Sequence, residues 1–351
     1  MSKTLFILKR RPDFNSAVHT KIGLTTGLYN SANFMNEMLQ ANGIESKLVV
    51  AVDNNEIDRE VTQYRPTHVI VEALWVVPTK FAVLQKLHPN VTWVIRLHSE
   101  MPFLASEGIA MDWIGDYSMF RNVVIAANAP RMLREMRFYL KHRNGWTDEQ
   151  VDEKLIYLPN YYPQDYLMPK VLDRDKDTID ISCFGAIRPL KNHMVQAFAA
   201  MEFATMIGKK LRFHVNAGRI EMKGDPVINN LKGLFEQVSH TDCQLVNHMW
   251  RTREGFLELC GQMDLGMQVS FSETFNIVAA DLISQGVPVV GCDEIPWFSL
   301  EYCADPTNSA DIINKMVKAY ESPEINVSLN QTKLTHYTNQ TRDLWYQYFK
   351  D

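Results

Sequence analysis

The sequence lacks the features that hold together small secreted or metal-bound domains. Its five cysteines, Cys183, Cys243, Cys260, Cys292 and Cys303, are odd in number and show no C-x-x-C spacing. That argues against a disulfide framework or a zinc knuckle and leaves them as small core residues. Long apolar runs are missing too. The strongest, 69–77, is interrupted by Glu72, so nothing reaches the roughly 18–20 uncharged residues of a membrane span. Positive charge is not in excess: 36 lysines and arginines stand against 41 acids, a net charge of −5. Wholesale neutralisation of a nucleic acid is thereby excluded, though not a local basic patch. No G-x-G-x-x-G fingerprint with a following acid is present, which argues against an NAD-dependent dehydrogenase. Repeats of fixed period and low-complexity tracts are likewise absent. At the N-terminus only residues 5–8 precede Lys9, Arg10 and Arg11. That is too short and in the wrong order for a secretory signal, so a cytoplasmic location is expected.

What is there is an ordinary globular composition. Hydrophobic residues make up 46% and charged residues 22% of 351, enough chain for about two domains. Short β-branched runs alternate with helical patterns, which predicts βα units and parallel sheets. One set of strands is expected at 5–8, 47–52, 68–71, 91–97, 122–126 and 155–158, with helices near 30–42, 55–64, 79–88 and 129–141. A second set is expected at 179–184, 211–215, 243–246, 265–269 and 287–290, with helices near 191–206, 226–237, 252–261 and 275–285. The division is a first domain over 1–160, a linker over 161–178 rich in proline, tyrosine and charge, a second domain over 179–322, and a helical tail over 323–351. Two doubly wound domains of this kind place ligands at the carboxyl ends of their strands, in a cleft.

The most informative stretch is LGMQVSFSETFNIVAADLISQGVPVVG at 265–291. A strand gives way to a helix near Thr274, and Gly286 stops that helix before a second buried strand. Glu273 and Asp281 are eight residues apart, which on a helical path is about 12 Å along the axis and about 80° around it. Two acceptors so placed suit a hydroxyl-rich ligand such as a nucleotide sugar. The alternative is a carboxylate at a helix N-terminus plus an ordinary acid. Upstream, CFGAIRPLKNHMVQAF at 183–198 places Arg188 and Lys191 at the mouth of another helix. Two cations there would stabilise the charge of a departing diphosphate; alternatively they are solvated loop cations.

The stretch 265–291 resembles the E-x7-E signature of glycosyltransferase family 4 and its relatives with the GT-B fold, two Rossmann-like doubly wound domains with an interdomain cleft. Glu273, Phe275, Gly286, Pro288, Val289 and Val290 match, whereas Asp281 stands for the second glutamate and Asn276 for the usual glycine. The segment 183–198 resembles the family's G-R-x-x-x-x-K-G segment, and the resemblance assigns Arg188 and Lys191 to the donor pyrophosphate. It implies a retaining glycosyltransferase using a nucleoside-diphosphate sugar, UDP-linked, with no required metal or other cofactor. Glu273 would orient the sugar and Asp281 the ribose, with Thr274, Phe275 and Asn276 also lining the donor. The loop holding Asn247 and His248 would lie against the base. In the first half, Gly23 and Gly27 follow the first strand and could let backbone approach a phosphate or sugar. His98, after the strand 91–97, is the candidate for positioning donor and acceptor, with Glu100 beside it as an acceptor contact. The D-x-D spacings of DRDKD at 173–177 precede a strand rather than follow one, so they are read as solvated charge and not as a metal site.

For the acceptor, Arg131, Arg134, Arg137 and Lys141 fall within about 120° of one helix face. Such a face could track DNA phosphates or meet an anionic membrane, or could simply be solvated. Some GT-B relatives are phage enzymes that glycosylate hydroxymethylated pyrimidines, which makes DNA the leading acceptor expectation, followed by a glycan or lipid precursor. Rival readings are a nucleotide-sugar epimerase and a non-catalytic nucleotide or nucleic-acid binding protein.

Overall fold

The computed structural model describes residues 2–10, 27–221, 223–238 and 241–350. The chain divides into two compact units, one built on Thr26–Pro163 with the N-terminal strand and Thr338–Asp351, the other on Gln164–Tyr337.

In the first unit, strands β1 (Lys3–Lys9), β2 (Glu45–Ala51), β3 (His68–Glu72), β4 (Thr92–Leu97), β5 (Val123–Ala127) and β6 (Leu155–Tyr157) form one parallel sheet in the order β2-β1-β3-β4-β5-β6. Each of these lies within two residues of a predicted strand. A parallel sheet is covered on both faces, so its strands read as continuous apolar runs. Successive residues of one strand therefore feed different cores. Leu5 and Ile7 of β1 pack with Trp93 and Ile95 against helices Glu56–Tyr64, Pro78–Leu87, Ala110–Ser118 and Pro130–Asn144. Phe6, between them, packs with Ile70 and Val94 against Met35, Met38 and Leu39 of helix Gly27–Ala41 and against Trp345 and Phe349. The last two belong to the closing helix Pro323–Lys350, whose Trp345 Nε1 donates to Pro159 O at 2.9 Å. Helix Ala110–Ser118 was not anticipated; it buries Ile114 and Tyr117 but carries Gly115 and three polar residues, Asp112, Asp116 and Ser118, in nine.

In the second unit, β7 (Thr178–Ser182), β8 (Lys210–Val215), β9 (Cys243–Asn247), β10 (Leu265–Met267) and β11 (Val289–Val290) form a second parallel sheet in the order β11-β10-β7-β8-β9. The chain winds outward from β7 through β8 to β9, then returns to the other side of β7. That reversal is the switch point of a Rossmann-like sheet and falls between β7 and β10. In the first unit the equivalent reversal falls between β1 and β3. The outer edge of β11 is satisfied by a side chain: Asn326 accepts from Val289 N and donates to Val289 O, both at 2.9 Å.

Residues 164–177 run along the second unit. Leu167 N donates to Ser284 O and Lys170 N to Gly286 O, each at 2.7 Å. Gly286 has φ +74°, and a Cβ there would come within 2.1 Å of Met168 O, so glycine both ends the helix Ile277–Ser284 and admits this segment. The charge at 173–177 is not merely solvated: Arg174 donates to Tyr320 O at 2.8 Å and Lys176 bonds Asp180 and Asp264. Among the described residues no helix is long and apolar enough to cross a membrane.

Candidate functional site

The switch point of the second unit is built by the loops after β7 and β10. After β7, Arg188 begins a short 3-10 turn, Pro189–Lys191, and Asn192 at φ +57° redirects the chain into helix His193–Met206. Asn192 holds this backbone conformation, unusual outside glycine, by donating to Val269 O at 3.2 Å and Pro306 O at 2.9 Å. Gln196 ties the two loops together, donating to Lys191 O at 2.8 Å and accepting from Val269 N at 2.9 Å. The loops therefore meet, and the Lys191 ammonium bonds the Glu273 carboxylate across 82 residues of sequence. Both are nearly buried, at 7% and 9% exposure, which leaves a compact pair of one cation and one acceptor at the carboxyl edge of the sheet.

Arg188 is less enclosed, and its guanidinium lies 3.9 Å from Glu221. In the sequence Ala186, not Arg188, stands five residues before Lys191, so the resembled arginine position is taken by alanine.

Asn276 explains one departure from the resembled signature. It has φ +56° at the N-cap of helix Ile277–Ser284, where its side chain accepts from Ala279 N at 3.0 Å. It also donates to Gln268 Oε1 at 3.0 Å. Asparagine is the L-residue that best tolerates this conformation while capping a helix, so it can replace a glycine here. Because the helix starts only at Ile277, Glu273 lies in the loop and not one turn up the same helix. Asp281 is 2% exposed and receives a hydrogen bond from Arg253 Nη1 at 2.5 Å. Phe275 is buried against Trp297 and Tyr337, and its carbonyl accepts from Trp297 Nε1 at 2.7 Å. Its ring is core, and the half-buried Thr274 precedes it in the loop. Asn247 closes β9 with its Oδ1 accepting from Ala217 N at 2.8 Å, and His248 follows it. Gly23 lies outside the described residues.

In the first unit, a pocket opens at the carboxyl edge of β1, β3 and β4, lined among others by Lys9, Arg10, Glu72, Trp75, His98 and Glu107. Glu72 and Arg96, both fully buried, face each other in register on β3 and β4, with Arg96 Nη1 at 3.1 and 3.2 Å from the two carboxylate oxygens. Arg96 also bonds Leu158 O, Pro159 O and Asn160, which satisfies its fork. The other side of Glu72 receives His98 Nε2, while Asn128 lies 3.4 Å from His98 Nδ1. Both ring nitrogens of His98 therefore face protein partners. Burial would raise the Glu72 pKa, but Arg96 and His98 outweigh it and hold the carboxyl below its ordinary range. Burial lowers that of His98, with Glu72 opposing and Arg96 adding to the shift. Sequence reasoning treated Glu72 only as an interruption of an apolar run. An acid inside a buried parallel strand demands a partner, and that was the available signal.

The cationic helix face forms as expected on Pro130–Asn144, but most of its charge is answered locally. Arg131 bonds the buried Glu100 at 3.3 Å, Arg137 pairs with Asp152 and Asp148, and Lys141 lies 2.9 Å from Asp148. Arg134 and Phe138 are exposed. The acids of 148–152 follow the helix across a turn, so a count of charge within the helix alone overstated its basicity.

Two parallel Rossmann-like units in one chain define the GT-B fold, and the solved structures agree. The α,α-trehalose-phosphate synthase (UDP-forming) of Burkholderia vietnamiensis is similar with a TM-score of 0.70 at 9% identity, over 100% of this chain and 97% of that one. Sucrose-phosphate synthase of Thermosynechococcus elongatus is similar with a TM-score of 0.68 at 12% identity, covering 99% of each chain. HepE of Anabaena in complex with UDP gives a TM-score of 0.60 at 12% identity, over 98% of this chain and 96% of that one. No protein-family model matches the sequence and no curated protein matches it. The likeness establishes the fold. Among the described residues no cluster of three or more histidines, cysteines or acids could hold a metal ion.

Proposed function

We propose that the chain is a retaining glycosyltransferase that moves a sugar from a UDP-linked donor to an acceptor hydroxyl. The observation that carries this reading is the Lys191–Glu273 pair at the switch point of the second sheet. It draws support from neighbours whose structures hold UDP or UDP-glucose in the same fold. An ammonium has three donors and spends one on Glu273, which leaves two for phosphate oxygens. As the bond between sugar and diphosphate breaks, negative charge grows on the leaving group, and a cation fixed beforehand stabilises that charge more than the ground state. Arg188 adds a second cation by turning from Glu221. Glu273, restricted to accepting, orients sugar hydroxyls. Asp281 serves the ribose if Arg253 turns with it, and the backbone of Thr274, Phe275 and Asn276 lies at the helix mouth, where an anion is favoured. Asn247 and His248 hold the base.

In the first unit His98, clamped by Glu72, positions reactants rather than exchanging protons, because its nitrogens are already engaged. For the acceptor, a sugar hydroxyl fits better than hydroxymethylated DNA, since Arg131, Arg137 and Lys141 already hold carboxylates and, of these four cations, only the exposed Arg134 is left for a phosphate. The test is release of UDP from a panel of UDP-sugars, with monosaccharides, sugar phosphates and hydroxymethylated DNA as acceptors. Acceptor-dependent release supports transfer. Conversion of donor without acceptor would instead mean an epimerase, and binding without turnover a nucleotide-binding protein.

A further inference from the structure

The first unit keeps two cations that the proposed transfer has not used. Lys9 closes β1, and Arg10 follows it with its backbone N–H donating to Ala51 O at 2.7 Å. That bond carries the β1–β2 pairing one residue further and fixes both residues at the carboxyl edge of the sheet. Elsewhere in the unit Lys3, Lys47, Arg131, Arg137, Lys141 and Arg143 each meet a carboxylate. Among the described residues the side chains of Lys9 and Arg10 meet none, and both are exposed.

Both line the cavity at the edge of β1, β3 and β4, whose volume is about 420 Å³. Small-molecule sites span about 300–1,000 Å³, so this space suits a compact ligand better than a stretch of polymer. The buried acid of the cavity does not account for the two cations, because Glu72 is already answered by Arg96 and His98. Adjacent cations without a counter-charge repel each other, and an anion that joins them relieves that repulsion.

The remainder of the wall offers an apolar surface and polar groups. After β3 comes Ala73, left-handed at φ +68° with its N–H donating to Arg96 O at 2.9 Å, then Leu74 and the half-buried Trp75. A left-handed alanine is strained, and strain of that kind clusters where ligands are held. After β4 come His98 and Ser99, and Glu107 borders the same space. In the order β1-β3-β4, Lys9 and His98 stand two strand spacings apart, about 10 Å. The cations therefore mark one end of the cavity, and His98 with Ser99 the other. A hexose with an anion on its exocyclic carbon spans that distance, its anion at Lys9 and Arg10, its C–H face along Leu74 and Trp75, and its ring hydroxyls at His98 and Ser99.

We infer that the acceptor is a small anionic sugar, a sugar phosphate or a sugar acid, whose charge is held by Lys9 and Arg10. The inference rests on the transferase reading and names the acceptor class of that reaction. Phosphate and carboxylate share the chemistry the two cations recognise, an oxyanion that accepts from an ammonium and a guanidinium. Charge-assisted bonds of this kind change affinity roughly ten- to hundredfold.

The experiment follows UDP release from a panel of UDP-sugars with glucose, mannose and galactose as acceptors. Each is supplied as the free hexose, its 6-phosphate and its uronic acid, beside hydroxymethylated DNA. Calorimetric titrations of UDP and of the charged sugars into the whole chain are run separately. At least one charged sugar is expected to give a kcat/KM at least about tenfold above its neutral counterpart, and the better arm tells phosphate from carboxylate. Lys9→Met and Arg10→Met together should raise KM for that acceptor about tenfold or more, well beyond any fall in kcat, with the affinity for UDP kept. Lys9→Arg, which preserves the charge, should restore most of the loss in a chain that retains Arg10. A purely structural role would instead lower the melting temperature and weaken neutral and charged acceptors alike. Neutral hexoses used as well as charged ones, transfer to DNA alone, or UDP binding with no charged sugar accepted overturns the inference and leaves the donor site standing. Charged sugars bound by the wild type and not by the double variant, with UDP unbound, overturn the donor reading and leave the cavity assignment standing. Binding of neither overturns both.

Discussion

Replacing Asn276 separates the backbone demand of the site from its hydrogen bonds. The residue is 6% exposed, has φ +56°, caps Ala279 N at 3.0 Å and donates to Gln268 Oε1 at 3.0 Å. Asn276→Ala loses the cap, about 1 kcal/mol, and leaves a Cβ in the left-handed region without the local bonds that offset it, about 1 kcal/mol more. It also strands the Gln268 amide oxygen, for about 1–3 kcal/mol. Asn276→Gly strands the same oxygen, but it removes the Cβ conflict and gives up only a few tenths of a kcal/mol as a cap. The Gln268 contribution cancels between the two variants, so alanine should be less stable than glycine by about 2 kcal/mol. Urea unfolding at unchanged slope measures this directly. Equal stability of the two variants, or a more stable alanine, would refute the claim that a left-handed capping residue is required there.

The remaining predictions concern charge. Burial, with Lys191 and Arg188 adding to it, pushes the His193 pKa down to about 3 against an ordinary 6.5. The unfolded chain then binds the proton first as pH falls, so stability present above pH 6.5 is lost progressively toward pH 3. At pH 4.5 this residue alone should cost about 3 kcal/mol. His193→Gln should flatten that limb of a plot of melting temperature against pH, and an unaltered limb would count against the assignment. Glu72→Gln leaves the Arg96 guanidinium buried without its counter-charge, so a loss of about 3–5 kcal/mol is expected in denaturant unfolding; a change below about 1 kcal/mol would show that the pair does not hold the sheet edge. By contrast Arg137→Ala, which breaks a pairing with the largely exposed Asp148 and Asp152, should move stability by no more than about 1 kcal/mol.

The strands were legible because a sheet covered on both faces needs β-branched and aromatic runs, as at 69–71 in His68–Glu72 and 92–95 in Thr92–Leu97. Helices with a clear cap or stop, such as Ile277–Ser284 between Asn276 and Gly286, were legible for a similarly local reason. Helix Ala110–Ser118 was not, since its stability comes from packing on β5 rather than from its own periodicity. Lys191 and Glu273 could be paired in advance only through motif order, and Asn276 looked like a departure until its φ was known. The partners of Asp281, Glu72 and Arg137 are set by tertiary contacts 15 to 28 residues away in sequence, which no local pattern encodes.

In the proposed function, the second unit binds a nucleoside diphosphate through Lys191. Calorimetric titration of UDP into the wild type and into Lys191→Met, which keeps the side-chain length without the charge, tests it most directly. The expected result is a single site in the wild type and an affinity at least about tenfold weaker in the variant, with its melting temperature confirming the fold. No binding of UDP to the wild type, or equal affinities in the two proteins, would contradict it.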